Sequence, residues 1–215
     1  MNHLIIRAYD KDDYLARLCY ESWIYSGFEG KVYFYCQLFS APHYQTAYSP
    51  NLIKDKGEII FHENHCNNYG GPIGAVAMRE MFNKLEYEDE DIIISCDTDI
   101  VIKENPLNYI EDDIDFAGHG GLIMDELYHV SGQLQMIRGR MVREISKDDS
   151  MEINKRSARL GDFRLQVCDD TYMSIRVNDL KGKVKLLSDL WHHVKSYNYA
   201  PRQDWDKIIE HYKSY

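Results

Sequence analysis

The stretch that most constrains this chain is an apolar run ending in two carboxylates, Asp91-Ile-Ile-Ile-Ser-Cys-Asp97-Thr98-Asp99. Three consecutive isoleucines are β-branched, and an apolar run of this length is typical of a strand buried on both faces, as in a parallel sheet. In open α/β sheets, ligands bind beyond the carboxyl ends of the strands. The sequence therefore predicts a central strand that carries Asp97 and Asp99 into a ligand site.

The carboxylate pair has two interpretations. Mg²⁺ or Mn²⁺ is commonly held by one or two carboxylates together with substrate phosphates. Asp97 and Asp99 are therefore candidates for binding a metal ion that is complexed with a diphosphate. The alternative is a turn after the strand in which both side chains only bond nearby backbone amides.

Segments with strand and helix character alternate along the rest of the chain, which predicts a mostly parallel sheet. Strands are predicted at 3–8, 31–38, 58–62, 91–96, 115–118, 130–137 and 184–187. Helices are predicted at 12–26, 75–85, 139–146, 169–177 and 203–212, with a short one starting at Asn105-Pro106-Leu107. A loop is expected around Pro42 and Pro50, and the polar segment 147–159 is expected to be a mobile loop that closes over a ligand.

The charge balance restricts the partners. The net charge is −10, from 25 basic and 35 acidic residues. Sequence-independent nucleic-acid binding needs a basic patch, so we expect no nucleic-acid partner. A nucleotide-sized ligand remains compatible, because a bound cation supplies positive charge locally. Acidic clusters at 86–91, 111–115 and 148–152 are interpreted as solvated loops.

The cysteines and the amino terminus bear on the cellular compartment in which the protein is expected. Five widely spaced cysteines in mostly apolar neighbourhoods favour buried thiols in a reducing environment. The amino terminus is too short and too quickly polar for a signal peptide, and no apolar run approaches membrane length. We therefore expect a cytoplasmic protein without a transmembrane segment.

In their order, these motifs resemble the GT-A class of nucleotide-sugar-dependent glycosyltransferases, from about Leu4 to Lys195. The matching parts are the first strand and helix, Asp97-Thr98-Asp99, Asn105-Pro106-Leu107, Ser131-Gly132-Gln133, Cys168-Asp169-Asp170 and Trp191-His192-His193-Val-Lys195. The resemblance implies a single Rossmann-like α/β domain with a mostly parallel mixed sheet and helices on both faces. Residues 1–102 would form the nucleotide-binding half, 103–200 the acceptor and catalytic half, and 201–215 a C-terminal helix. The resemblance is also compatible with this domain being part of a longer protein.

The resemblance implies a metal site that grips the donor diphosphate. The Asp97-Thr98-Asp99 segment would bind the donor and hold Mn²⁺ or Mg²⁺, with Asp97 nearer the ribose and Asp99 the firmer metal ligand. His192 or His193 would add a further metal ligand, and Lys195 would meet a phosphate oxygen. The alternative for the two histidines is an exposed polar corner beside a buried tryptophan.

The same resemblance places the nucleobase at the first strand–helix loop. Arg7, Tyr9 and Asp10 would line that site, with Tyr9 stacking on the base and Asp10 accepting from it. Arg79, on the helix before the aspartate strand, would reach base or phosphate. The alternative for Arg79 is a surface ion pair with a neighbouring glutamate.

The implied chemistry needs a base that takes the proton from the acceptor hydroxyl. Asp170 is the predicted base, with Asp169 orienting it or binding acceptor hydroxyls. The alternative is that either aspartate caps the helix that starts there. Ser131-Gly132 would pass close to the donor sugar, with Gln133 towards the acceptor.

The expected function is metal-dependent transfer of a sugar, with inversion, from a nucleoside diphosphate sugar to a hydroxyl of a glycan or other acceptor. A UDP-sugar is favoured as the donor. Two alternatives stay open. Asp97-Thr98-Asp99-Ile-Val101 also satisfies the signature of haloacid-dehalogenase-type phosphohydrolases, whose first aspartate is a nucleophile. The second is a non-catalytic nucleotide-sugar or glycan-binding module.

Overall fold

The isoleucine run is a central strand of the fold. A computed structural model describes residues 1–8, 13–37, 39–41, 44–47, 51, 53–62, 72–123, 127–147 and 169–193. In it, Ile92, Ile93 and Ile94 are all buried, and the side chains from this strand enter hydrophobic clusters on both faces of the sheet. The prediction of a strand buried on both sides is confirmed.

The structure describes eleven strands, and seven of them form the main sheet. The strands are β1 (Asn2–Ala8), β2 (Lys31–Gln37), β3 (Phe39–Ala41), β4 (Tyr44–Ala47), β5 (Glu58–His62), β6 (Ile92–Asp97), β7 (Ile100–Ile102), β8 (Phe116–Ile123), β9 (Leu127–Arg138), β10 (Val184–Leu186) and β11 (Trp191–His193). Their order in the main sheet is β10-β8-β9-β6-β1-β2-β5. Strand β9 runs antiparallel to both of its neighbours, and the other pairings are parallel. The predicted mostly parallel mixed sheet is confirmed.

Helices cover both faces of this sheet. They are α1 (Asp13–Tyr25), α2 (Pro72–Asn83), α3 (Gly139–Ile145) and α4 (Asp169–Asp179), with a 3-10 helix at Pro106–Tyr109. One face packs against α1 and β7, and the other packs against α2, α3 and α4. Trp23 of α1 and Phe82 of α2 are each fully buried or nearly so on these opposite faces. Both layers are therefore held by large apolar side chains.

Four short strands were not predicted. Residues around Pro42 were expected in a loop, but β3 and β4 pair antiparallel there. Strands β7 and β11 pair antiparallel beside the aspartate segment. Each of the four has only three or four residues, too few for the alternation that identifies a strand in a sequence. Their pairing partners, distant along the chain for β7 and β11, decide their conformation.

Asp91 corrects the interpretation of 86–91 as a solvated loop. Its side chain is 9% exposed and contacts His3 of β1. The carboxylate also accepts a hydrogen bond from the backbone N–H of Glu88. An acidic residue at the start of a central strand can be buried where such donors surround it.

Several predictions fall outside the described residues. These are the base-site residues Tyr9 and Asp10, the phosphate contact Lys195, the segment 148–159, the helix at 203–212, and the side chains of Asp169 and His193. Among the described helices, none is long and apolar enough to cross a bilayer. Cys19, Cys36 and Cys96 are buried free thiols, as expected.

Candidate active site

The carboxylate of Asp97 is held by a buried arginine. Strands β1 and β6 pair in parallel so that Arg7 lies directly beside Asp97. The Arg7 side chain is 3% exposed, and its Nη2 donates to Asp97 Oδ1 at 2.6 Å. Because the Asp97 side chain is still 37% exposed, this carboxylate is oriented by the protein and also reaches solvent at the carboxyl edge of the sheet.

Strand β9 bulges at the same edge. Gly118 of β8 pairs with Gln135, but Gly120 pairs with Val130, so β9 has three more residues than β8 between these pairs. The buried side chain of Gln135 closes the excursion, because its Nε2 donates to the Val130 carbonyl at 3.0 Å. Bulges of this kind often re-aim the chain next to functional sites.

Gly132 lies in this bulge and is held on both sides. Its carbonyl oxygen accepts a hydrogen bond from Arg7 Nη2. Its N–H donates to Asp170 Oδ2 at 3.3 Å. The two bonds involve the peptide groups on either side of the Gly132 Cα, so the bulge links β1 to the start of α4.

Asp170 is the ionised carboxylate of this arrangement. The Thr171 N–H donates to Oδ1 at 2.7 Å, and His129 Nε2 lies 3.5 Å from Oδ2. Burial acts to raise the pKa of Asp170, but the His129 contact and the N–H groups of Thr171 and Gly132 outweigh it and hold the pKa below its ordinary value. The bond from the Thr171 N–H is to a backbone amide of α4, as the capping alternative would require, whereas the Gly132 N–H belongs to β9.

A contact network connects two of the carboxylates that the sequence singled out. A continuous series of contacts runs from Asp97 through Arg7 and Gly132 to Asp170 and His129. Asp97 and Asp170 are 73 positions apart in the sequence, and this network places both at one edge of the fold. Their chemical roles stay predictions.

Backbone pairing places His192 and His193 next to the strand that follows the aspartate segment. Strand β7 starts directly after Asp99, and β11 pairs with it so that His193 is opposite Ile100 and His192 opposite Val101. The His192 side chain is exposed. Asp99 itself is half-buried.

The donor atoms fit a hard cation only in part. Among the side chains that the structure describes, no three His, Cys, Asp or Glu groups are close enough to hold a metal ion. Asp97 and Asp99 provide the two carboxylates that Mg²⁺ or Mn²⁺ uses when substrate phosphates and waters complete its shell. These residues would thus hold a cation only together with a ligand, and the metal roles of Asp97, Asp99 and His192 stay predictions.

Helix α2 packs over Arg7. Met78 accepts a weak contact from Arg7 Nη1 at 4.0 Å and lies 3.7 Å from Ser95 Oγ. The next residue, Arg79, is half-buried. Its predicted contact with base or phosphate stays a prediction. Thr98, the middle residue of the aspartate segment, is buried.

Sequence reasoning missed three features of this site. Arg7 was expected at the nucleobase, whereas its guanidinium orients Asp97 and the Gly132 carbonyl. The bulge had a usable signal, since glycine inside a strand pattern often marks one. His129 had no signal, because a single histidine before an apolar strand is unremarkable until the fold places it beside Asp170.

The fold was compared with known proteins. No protein-family model and no curated protein matches the sequence. Solved structures do match. One is the galactosyltransferase LgtC in complex with donor and acceptor sugar analogs, at 13% identity and a TM-score of 0.54, covering 86% of this chain and 73% of that one. The fold is that of the GT-A glycosyltransferases.

Two further structures share it. The mannosyltransferase PcManGT from Pyrobaculum calidifontis, in complex with GDP-Man and Mn²⁺, is 13% identical with a TM-score of 0.55, covering 92% of this chain and 58% of that one. The glycosyltransferase GlyE from Streptococcus pneumoniae TIGR4 is 10% identical with a TM-score of 0.54, covering all of this chain and 64% of that one. This chain thus spans 58% to 73% of these three proteins, and at such identities the likeness concerns the fold.

Proposed function

We propose that this GT-A domain transfers a sugar from a nucleoside diphosphate sugar to a hydroxyl of a glycan or glycoconjugate. The observation that carries the proposal is the contact network that joins Asp97 to Asp170 at the carboxyl edge of the sheet. Ligands of open α/β sheets bind at that edge. The three solved proteins compared above, which share this fold, are glycosyltransferases.

The donor end of the site is the aspartate segment. Asp97 and Asp99 would hold Mn²⁺ or Mg²⁺, and a bound cation would supply Lewis-acid neutralisation of the charge that grows on a departing diphosphate. Arg7 holds Asp97 Oδ1, which would orient this carboxylate towards the donor. Asp99 would be the firmer metal ligand of the pair. We favour a UDP-sugar as the donor.

The acceptor end is Asp170. Its lowered pKa keeps the carboxylate ionised at neutral pH, so it can accept the proton of the attacking hydroxyl. A low pKa also makes a weaker base, since base strength follows the pKa. The proposed base role therefore needs the acceptor hydroxyl to replace a present partner of the carboxylate, and the side-chain partners are His129 at Oδ2 and the Thr171 hydroxyl at Oδ1. This arrangement favours inversion.

The phosphohydrolase alternative is less favoured by the fold. Asp97 follows β6, a strand in the middle of the sheet, and β1, β2 and β5 precede it in sequence. One oxygen of Asp97 is also engaged by a guanidinium, which reduces its strength as a nucleophile.

Calorimetric titration tests the proposal. Nucleoside diphosphates and their sugars are titrated with Mn²⁺ and again with chelator, using wild type, Asp97→Asn and Asp99→Asn. We expect binding that requires the metal and weakens by more than about tenfold in both variants. Asp55→Asn is the matched control, because Asp55 is exposed on the turn before β5, which is an edge strand of the main sheet.

Turnover then separates an enzyme from a binding module. Asp170→Asn should keep donor affinity within about twofold and lose about 10²- to 10⁴-fold in kcat, the range for loss of a general base. Metal-independent binding, or no nucleoside diphosphate binding at all, would contradict the proposed function.

A further inference from the structure

We propose that Arg7 is a positioning residue that fixes the donor-side carboxylate Asp97 and the acceptor-side carboxylate Asp170 relative to each other. The inference rests on the proposed function for its catalytic consequence. The structural part of the inference, the link from Asp97 through Arg7 and Gly132 to Asp170, rests on the observed contacts alone. Arg7 touches Asp97 directly and acts on Asp170 through Gly132.

One nitrogen of Arg7 makes both decisive bonds. Nη2 carries two N–H groups, and it donates to Asp97 Oδ1 and to the Gly132 carbonyl. These acceptors belong to different strands, β6 and β9, which run antiparallel to each other. A planar guanidinium presents its N–H groups at fixed angles, so the position of one acceptor restricts that of the other.

Burial makes this link stiff. Arg7 is 3% exposed, and the buried Met78 covers its other terminal nitrogen. A buried cation must keep its charged and polar partners, because an unpaired charge in this setting is costly. The Arg7 side chain therefore has little freedom to leave Asp97 or Gly132 without a local rearrangement.

The bulge transmits the constraint to α4. With the Gly132 carbonyl held by Arg7, the preceding peptide presents its N–H to Asp170. The Gln135 side chain holds the neighbouring Val130 carbonyl, so the rest of the bulge cannot easily absorb a shift of Gly132. A change at Arg7 should thus reach Asp170, although the two side chains share only Gly132.

Lysine cannot replace this function. Its ammonium retains the charge but is a single point at the end of a flexible stem, without the planar fork. Arg7→Lys should keep an ion pair with Asp97 and loosen Gly132. Arg17→Lys is the matched control, because Arg17 forms a half-buried helical ion pair with Glu21 on α1.

The first measurement needs neither metal nor donor. Labelling with ¹⁵N-glycine gives a spectrum of the chain's 13 glycines, and Gly132→Ala assigns its own signal by disappearance. We expect the Gly132 amide to shift in Arg7→Lys and in Asp170→Asn and to stay unchanged in Arg17→Lys. The other glycine signals report whether each variant is folded. Arg7→Gln takes the place of Arg7→Lys if the lysine variant does not fold.

The second measurement is kinetic. In Arg7→Lys we expect kcat to fall by at least about tenfold, since small misplacements of reacting groups cost this much or more. The KM for the donor should stay within about threefold of wild type, because uniform binding is retained. The double variant Arg7→Lys with Asp170→Asn should have a kcat within about twofold of the slower single variant. The two effects should not multiply, because both changes disrupt the same link through Gly132.

The outcomes separate the two proposals. An unshifted Gly132 amide in the folded Arg7 variant, or kinetic effects of Arg7→Lys and Asp170→Asn that multiply fully, would overturn the positioning role. Failure to bind any nucleoside diphosphate would overturn the proposed function, whereas the Gly132 signal would still decide whether Arg7 holds the bulge.

Discussion

Asp91→Asn tests how much one buried carboxylate stabilises this fold. Asp91 lies at the amino end of β6, away from the candidate site, where its carboxylate accepts the Glu88 N–H at 2.9 Å and lies 3.1 Å from His3 Nε2. The amino group of Met1 is a further partner. Burial acts to raise the pKa of Asp91, but these three partners outweigh it and lower the pKa from 3.8 to about 2.

The magnitude follows from that pKa. A carboxyl group with a pKa lowered from 3.8 to about 2 stabilises the folded state by about 2 kcal/mol at neutral pH. Its folded pKa is below the unfolded one, so the contribution is complete above the unfolded value and disappears as the pH falls through the folded value. About 1 kcal/mol of it should be lost between pH 5 and pH 3.

Urea unfolding at several pH values measures this contribution. At pH 7 we expect Asp91→Asn to be less stable than wild type by about 2 kcal/mol, because the amide can still accept the Glu88 N–H but carries no charge. The difference should shrink towards pH 3, and the control Asp55→Asn should show neither effect. A difference of equal size at pH 5 and pH 3 would refute the reasoning.

Two further predictions concern the backbone around the site. Gly120→Ala should lower stability by at least about 2 kcal/mol in thermal unfolding, because a Cβ there would overlap a carbonyl of the facing strand, whereas Gly121→Ala has open space and should change little. Equal melting temperatures for the two alanine variants would contradict this. Ser22→Ala should cost about 1–3 kcal/mol, because buried Ser22 Oγ accepts the Ile102 N–H at 3.0 Å and would leave it unpaired. Ser26→Ala, which loses only a half-buried bond to a helix carbonyl, is its control, and a cost as large as that of Ser22→Ala would count against the explanation.

The candidate site shows where sequence reasoning stops. Asp97 and Asp170 were chosen because each lies next to an element boundary in a motif, and such boundaries are encoded locally. Arg7 is also visible in the sequence, but its partners are not. The register of β1 against β6 places it beside Asp97, and the β9 bulge brings the Gly132 carbonyl to the same nitrogen. Neither register nor bulge can be calculated from one strand alone.

The sequence by itself determined the long strands, the helices and the layering of this protein. Apolar runs and helical periodicity are properties of neighbouring residues, so the isoleucines of β6 predict a buried strand without knowledge of its partners. Only the tertiary structure decided the short strands, the burial of Asp91 and the joining of Asp97 to Asp170. These depend on contacts between segments far apart in the chain, and their free energy exists only once the sheet has brought both partners together.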